Sequence, residues 1–287
     1  MGSVLALLSS VCYGTADFLG GYATRRVSIG YVLLWNQIPG LLITGLFTLL
    51  TPGAMTNPTD WLWSVGAGLC ISIQLPALYL ALGVGPMAVV APVTALIGIV
   101  APMIFGVLVG HESPSPTAYA GCLLGALAVA IVSGAEHVSA DRDDNRQAGR
   151  GLLLATVAGT CIAMTYICLK QVSVHAGFVP LFTARSVALG LVVVATLAGQ
   201  RTMFAARPNP GAAALIALSG CLDASGTALF RSALIHRGPL SIVATLVSLY
   251  PLTTVLLATT LLRERLTWQR MVGVLLALSG IALMVRG

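Results

Sequence analysis

Residues 238–280 read GPLSIVATLVSLYPLTTVLLATTLLRERLTWQRMVGVLLALSG, and the fold turns on this stretch. From Pro239 to Leu262 no residue carries a charge. At about 1.5 Å rise per residue, such a run crosses a hydrocarbon layer of about 30 Å. Arg263-Glu264-Arg265 then interrupts it, and a second apolar run carries Gly273 and Gly280. A charged triplet between two apolar runs is a short turn in water or headgroups. The stretch therefore reads as a transmembrane helical hairpin.

The same hairpin occurs once before. Gly85-Pro86 opens an uncharged run to Gly110, His111-Glu112 interrupts it, and a second run carries Gly121 and Gly125. Gly85-Pro86 aligns with Gly238-Pro239 and Val90-Ala91 with Val243-Ala244. After a slip of one residue, Glu112 aligns with Glu264 and Gly121 with Gly273, while Gly125 falls on Ala277. Repetition after about 150 residues in a membrane chain is the sequence mark of a duplicated transporter fold.

This pattern resembles the EamA-type repeat of the drug/metabolite transporter superfamily. It comprises Ala-Leu, a short turn, Gly-Pro, an apolar helix, a Glu in a tight loop and a Gly-rich helix. Here it runs from Ala81-Leu82 through Gly125 and from Ala233-Leu234 through Gly280. Tyr13-Gly14 stands where that family often has Trp-Gly, and Arg185 where it often has an arginine in the second helix of a half. Asn36 occupies the matching place of the first half and departs from the pattern. The resemblance implies a bacterial cell-membrane transporter of small metabolites or drugs, with both termini in the cytoplasm.

Composition agrees with a membrane chain. The 287 residues are 57% hydrophobic and only 8% charged, against about 25% charged in soluble domains. Mean hydropathy is +0.94. The net charge of +6 is spread over loops, and no basic cluster with interleaved aromatics points to nucleic acid. The single lysine, Lys170, follows no Gly-rich loop, so a phosphate cradle for an ATP-driven pump is absent from the sequence. Cys12, Cys70, Cys122, Cys161, Cys168 and Cys221 all lie in apolar runs and read as small buried hydrophobes. No metal-ligand spacing occurs, so neither metal nor cofactor is expected. The N-terminus lacks a basic n-region and reads as a retained first helix.

Ten apolar spans are predicted, at about 3–24, 28–50, 61–82, 86–110, 117–135, 151–170, 177–199, 211–235, 239–262 and 269–286. The fold class is thus an all-α polytopic membrane protein of ten transmembrane helices. Five spans fall in each half, and an odd number forces the halves into opposite orientations, as inverted repeats. The first repeat covers 1–135, a polar linker 136–150, and the second repeat 151–287. Arginines crowd the loops after odd-numbered spans, from Arg25-Arg26 to Arg263 and Arg265, which favours termini outside the cytoplasm. The resemblance implies the reverse, and we follow it because the whole fold is inherited with it.

A charge at the centre of a span costs roughly 2.5–3.5 kcal/mol on insertion scales. Asp17, Arg185 and Asp223 nonetheless lie deep in apolar runs, with Arg231 nearer an interface. They are expected around a central solute pathway; the alternative is an Arg–Asp pair that only fixes helix packing. Tyr13, Asn36, Gln74, Tyr79, Tyr166 and Tyr250 are candidate partners for hydrogen bonding and stacking with a small organic solute. Pro39, Pro76, Pro92, Pro102, Pro180 and Pro251 each remove a helical N–H and are expected to kink or interrupt helices. The Gly106-x-x-x-Gly110 and Gly121-x-x-x-Gly125 stripes suit close packing, in a monomer or a homodimer. The leading function is a secondary transporter that exports its solute by alternating access, with Asp17 and Asp223 pointing to exchange for protons. The alternatives are a non-transporting membrane subunit and a membrane-embedded lipid-modifying enzyme. Substrate and lipid are the expected partners.

Overall fold

The structure is a computed structural model. It describes residues 2–108, 115–117, 119–121, 123–124, 127–128, 131, 142–198, 204–235, 247, 249–263 and 268–286. Among these there are helices and loops and no strand. The helices are α1 (Gly2–Thr24), α2 (Ile29–Leu50), α3 (Pro58–Val84), α4 (Met87–Leu108), α5 (Arg142–Lys170), α6 (Val179–Leu197), α7 (Pro210–Ile235), α8 (Tyr250–Leu261) and α9 (Trp268–Arg286). The described residues between 116 and 131 are also helical. Gly110, Glu112, Cys122, Gly125, His236 and Glu264 lie outside the described residues, as do all of 136–141 and 236–246.

Local chemistry sets the helix starts. Asn57 caps α3, its side chain accepting from Thr59 N at 3.2 Å, with Pro58 at the first position and Asp60 in the first turn. Asn209 does the same before α7, accepting from Ala212 N at 2.7 Å. Pro180 and Pro251 stand in the first turns of α6 and α8. There the missing N–H would have had no helical acceptor, so Pro180 simply starts a helix. Pro251 starts one inside the predicted 239–262 span, with Leu249 in a turn just before it, so that span is interrupted there as expected. Pro39 and Pro76 lie inside continuous α2 and α3. Helix α5 begins at Arg142, within the polar segment, nine residues before the expected span.

Among the described residues, six stretches are long and apolar enough to cross a membrane: Val4–Thr24, Ile29–Leu50, Pro58–Val84, Gly149–Leu169, Val179–Leu197 and Pro210–Phe230. Their side chains sort inversely to those of a soluble domain. Leu42, Leu49, Leu153 and Leu197 are exposed, while Ala6, Ala16, Ala67, Ala81, Ala155, Ala158, Ala184 and Ala224 are buried. Lipid tails solvate leucine as well as a protein interior does. Small residues go inside because they let backbones approach.

Helices of the first half pack chiefly on helices of the second. α1 lies along α7 and α3 along α5; α2 touches α6 and α7; α3 touches α6; α4 touches α5, α8 and α9; and α1 touches α8. The α1–α7 pair is antiparallel: Ser9 Oγ donates to Gly226 O at 2.7 Å, and Ser219 Oγ to Ala16 O at 2.8 Å. So is α3–α5, where Gly85 meets Gly151 and Thr165 Oγ1 donates to Gln74 Oε1 at 3.2 Å. α1 and α3 run parallel, with Gly20 against the Tyr79 ring and Gly83 against Thr24.

Candidate functional site

The deep charges come together where α1, α6 and α7 meet α2. Arg185 on α6 forms an ion pair with Asp223 Oδ2 on α7 and donates to Gln37 Oε1 on α2 at 3.2 Å. Gly40 leaves room for the guanidinium; a Cβ there would sit 2.5 Å from Nη1. Arg185 is 7% exposed, so its charge is covered on every side by this arrangement. The Arg–Asp pair, the alternative offered by the sequence, is therefore present, and Gln37, next to the candidate Asn36 and not itself a candidate, is its third member.

Asp17 lies within electrostatic range of Asp223, Tyr79, Tyr166 and Tyr250. Among the described residues its carboxylate has neither a hydrogen-bond nor an ion-pair partner. Val4, Leu7, Leu8 and Val11 form the outward stripe of α1 at i, i+3, i+4 and i+7 spacing. At about 100° per residue, Tyr13 and Asp17 lie roughly 130–170° away from that stripe, on the inner side. Both are half-buried there.

Tyr166 carries the same logic further. The outward stripe of α5 is Leu153, Val157, Thr160 and Met164, all exposed. Tyr166 stands about 150° round the helix from the centre of that stripe, yet it is 51% exposed. An exposed side chain on an inward face lines open space inside the bundle. Tyr13 and Tyr250 border the same space: their rings meet edge to face at 6.4 Å, and both lie within electrostatic range of Tyr166. Gly14 permits this, because a Cβ there would lie 2.3 Å from Tyr250 O, and Thr254 Oγ1 donates to Gly14 O at 2.9 Å.

Two other predicted residues are placed differently. Asn36 is 0% and Tyr79 1% exposed. Asn36 Nδ2 donates to Tyr79 OH at 2.8 Å and to Ser219 Oγ at 3.1 Å, knitting α2, α3 and α7 together. Neither offers surface to a solute. Gln74 is half-buried and held by Thr165. Ser219 and Thr227, which accepts from Tyr13 OH at 2.9 Å, were not selected from the sequence. Small hydroxyls among alanines give no signal to distinguish them. A separate crevice of about 340 Å³ lies at the α1 and α7 ends, bordered by Tyr22, Arg26, Arg207 and Asn209 and by none of the predicted site residues.

Among curated proteins none matches the chain. A solved crystal structure, described only as that of a protein, matches over 98% of this chain and 96% of its own, at 15% identity and a TM-score of 0.63. At that identity the likeness concerns the fold alone. The sequence pattern of the EamA-like transporter family matches residues 1–134 and again 149–286. The two matches and, among the described residues, six helices long and apolar enough to cross a membrane make this a multi-pass membrane protein. The chain belongs to the EamA-like transporter family.

Proposed function

We propose that the chain is a secondary active transporter of the bacterial cell membrane, exporting a small organic solute by alternating access in exchange for protons. The observation that carries this reading is the inner space beside Asp17, Tyr13, Tyr166 and Tyr250, at the depth of the Arg185–Asp223 pair. Charges at that depth are costly in lipid and are tolerated where they face protein or water. A pathway for a polar solute needs such a lining.

The packing supports two inverted repeats, 1–135 and 151–287 joined by 136–150. By the sequence alignment α1, α2, α3 and α4 correspond to α5, α6, α7 and α8. Exchanging the halves turns the α1–α7 contact into α5–α3, α2–α7 into α6–α3, and α4–α5 into α8–α1; all are present. α2–α6 and α4–α8 map onto themselves. Since α1 runs parallel to α3 and antiparallel to α7, the corresponding helices α3 and α7 point in opposite directions. Two such halves rocking about their shared contacts would expose the inner space to either face.

Flux into proteoliposomes, screened over amino acids, sugars and cationic drugs, tests the reading. Saturable flux of at least one class is expected. It should collapse in Asp17→Asn at equal folded protein and accelerate under an imposed pH gradient. Folded protein that moves none of these solutes, with or without the gradient, would overturn it.

A further inference from the structure

We propose that the inner space binds an organic cation, a protonated amine or quaternary ammonium group, seated against Asp17 between the faces of Tyr13, Tyr166 and Tyr250. This rests on reading the same space as the solute pathway.

The first ground is charge balance. Among the described residues, three full charges stand near the space: Asp17, Asp223 and Arg185. Arg185 and Asp223 neutralise each other, with Gln37 completing the guanidinium's contacts. Asp17 remains without a partner among the described residues. It follows Ala16 on α1, and the other carboxylate, Asp223, lies on the facing α7 between Ser219 and Thr227, which bond Ala16 and Tyr13. With all three ionised the site carries one net negative charge. Low-dielectric walls make that charge felt more strongly than it would be in water. Among the described residues no hydroxyl donates to Asp17. Tyr13 OH is committed to Thr227, and the buried Tyr79 OH to Asn36 and Ser219.

The second ground is the wall. A cation within about 6 Å of a tyrosine ring is attracted by its negative face, and the attraction grows when water is excluded. The edge-to-face packing of Tyr13 on Tyr250 holds one aromatic corner in place. Tyr166 supplies a second from α5 with half its surface open. The third ground excludes the converse. A carboxylate solute would need Arg185, which is covered and already paired. Breaking that pair strands Asp223, whereas seating an ammonium on Asp17, which has no partner among the described residues, breaks no ion pair there.

The test is calorimetric titration of the full-length, detergent-solubilised chain with benzyltrimethylammonium, with benzoate and benzyl alcohol as anionic and neutral counterparts. Benzyltrimethylammonium should bind, and benzoate and benzyl alcohol should bind at least about tenfold more weakly. Asp17→Asn should remove most of the binding. Tyr166→Leu should weaken it roughly 2- to 30-fold, the range expected for a cation on a ring, while Tyr166→Phe, which keeps the face, should not. Tyr166 is an open, inward residue, so its two variants report even where Asp17→Asn lowers the folded yield. Equal binding of all three probes, or benzyltrimethylammonium binding indifferent to Asp17→Asn and Tyr166→Leu alike, defeats the proposal. Flux of a neutral or anionic solute that survives Asp17→Asn would defeat it while leaving transport standing. Asp17-dependent binding without flux of any solute would uphold it and remove the transport reading.

Discussion

At the scale of single residues, a charge inside an apolar run is the most legible feature of this sequence. Such a residue has few bland uses in lipid. Asp17, Arg185 and Asp223 are found that way; Arg185 and Asp223 form an ion pair, and Asp17 lies on the inner side of α1, in the space proposed as the solute pathway. The paired and the unpaired charge should respond differently to substitution. Arg185→Gln leaves Asp223 without its cation, and Asp223→Asn leaves a covered guanidinium without its anion. Each single change should lower the folded yield strongly, consistent with about 3–5 kcal/mol for a stranded buried charge. The double variant should recover much of it, read as monodisperse protein per cell by size-exclusion chromatography. A double variant no better folded than the worse single one would mean that the pair is not what holds α6 to α7. Polarity alone is less legible. Asn36, Tyr79 and Tyr166 look alike in sequence, but the first two are buried in a hydrogen-bonded knot and the third is open. What separates them is which neighbour reaches them across the bundle, and no local pattern encodes that.

At the scale of helices, the apolar runs fix where most helices lie, because length and hydropathy are summed over twenty residues and small errors average out. α1, α2, α3, α6, α7 and α9 fall within a few residues of their predicted bounds. α5 extends further because Arg142–Arg150 is polar yet still helix-forming, and hydropathy reports solvation rather than backbone conformation. How the helices approach one another is carried by small residues. Gly220 on α7 lies so close to α2 that an added Cβ would stand 2.0 Å from Asn36 O. That contact is with backbone, so no side chain can swing away. Gly220→Ala should force α2 and α7 apart, disturb the adjacent Asn36–Ser219 bond and destabilise by ~1–3 kcal/mol or more. Gly190, in the middle of α6, has nothing within 4 Å of an added Cβ. Gly190→Ala should be neutral or slightly stabilising, since alanine is the better helix former. Thermal unfolding followed by loss of the monodisperse peak distinguishes the two. Equal melting points for both variants would refute the claim that backbone contact at Gly220 sets the helix spacing.

At the scale of the molecule, exchange of the halves accounts for most contacts between halves. It leaves contacts within the first half, α1–α3, α3–α4, α1–α2, α2–α3 and α1–α4, without counterparts of like extent among the described residues. The most extensive mismatch, α1–α3, has a direction. α1 packs on α3 at their C-terminal ends, where Thr24 Oγ1 donates to Tyr79 O at 2.8 Å and Arg25 to Leu82 O at 3.4 Å. The corresponding α5 and α7 show no comparable packing among the described residues. α5 is antiparallel to α3, and α3 parallel to α1. The C-terminal end of α5, with Tyr166 one turn before it, therefore lies on the face where α1 begins. The inner space should open toward that face and be closed at Thr24. With the native cysteines replaced, Tyr166→Cys in sealed vesicles should react with a membrane-impermeant thiol reagent applied to the face that bears the N-terminus. A cysteine at Thr24 should stay protected from reagent applied to the other face. Reaction of Tyr166→Cys only from the face of Arg25 and Arg26 would reverse the direction inferred from the mismatch. A reporter fused after Gly287 decides separately which face is cytoplasmic. The arginine count puts the Arg25-Arg26 face inside and makes this an outward-open state. The orientation implied by the family resemblance, which we adopt, makes it inward-open, and a reporter active in the cytoplasm is the expected result.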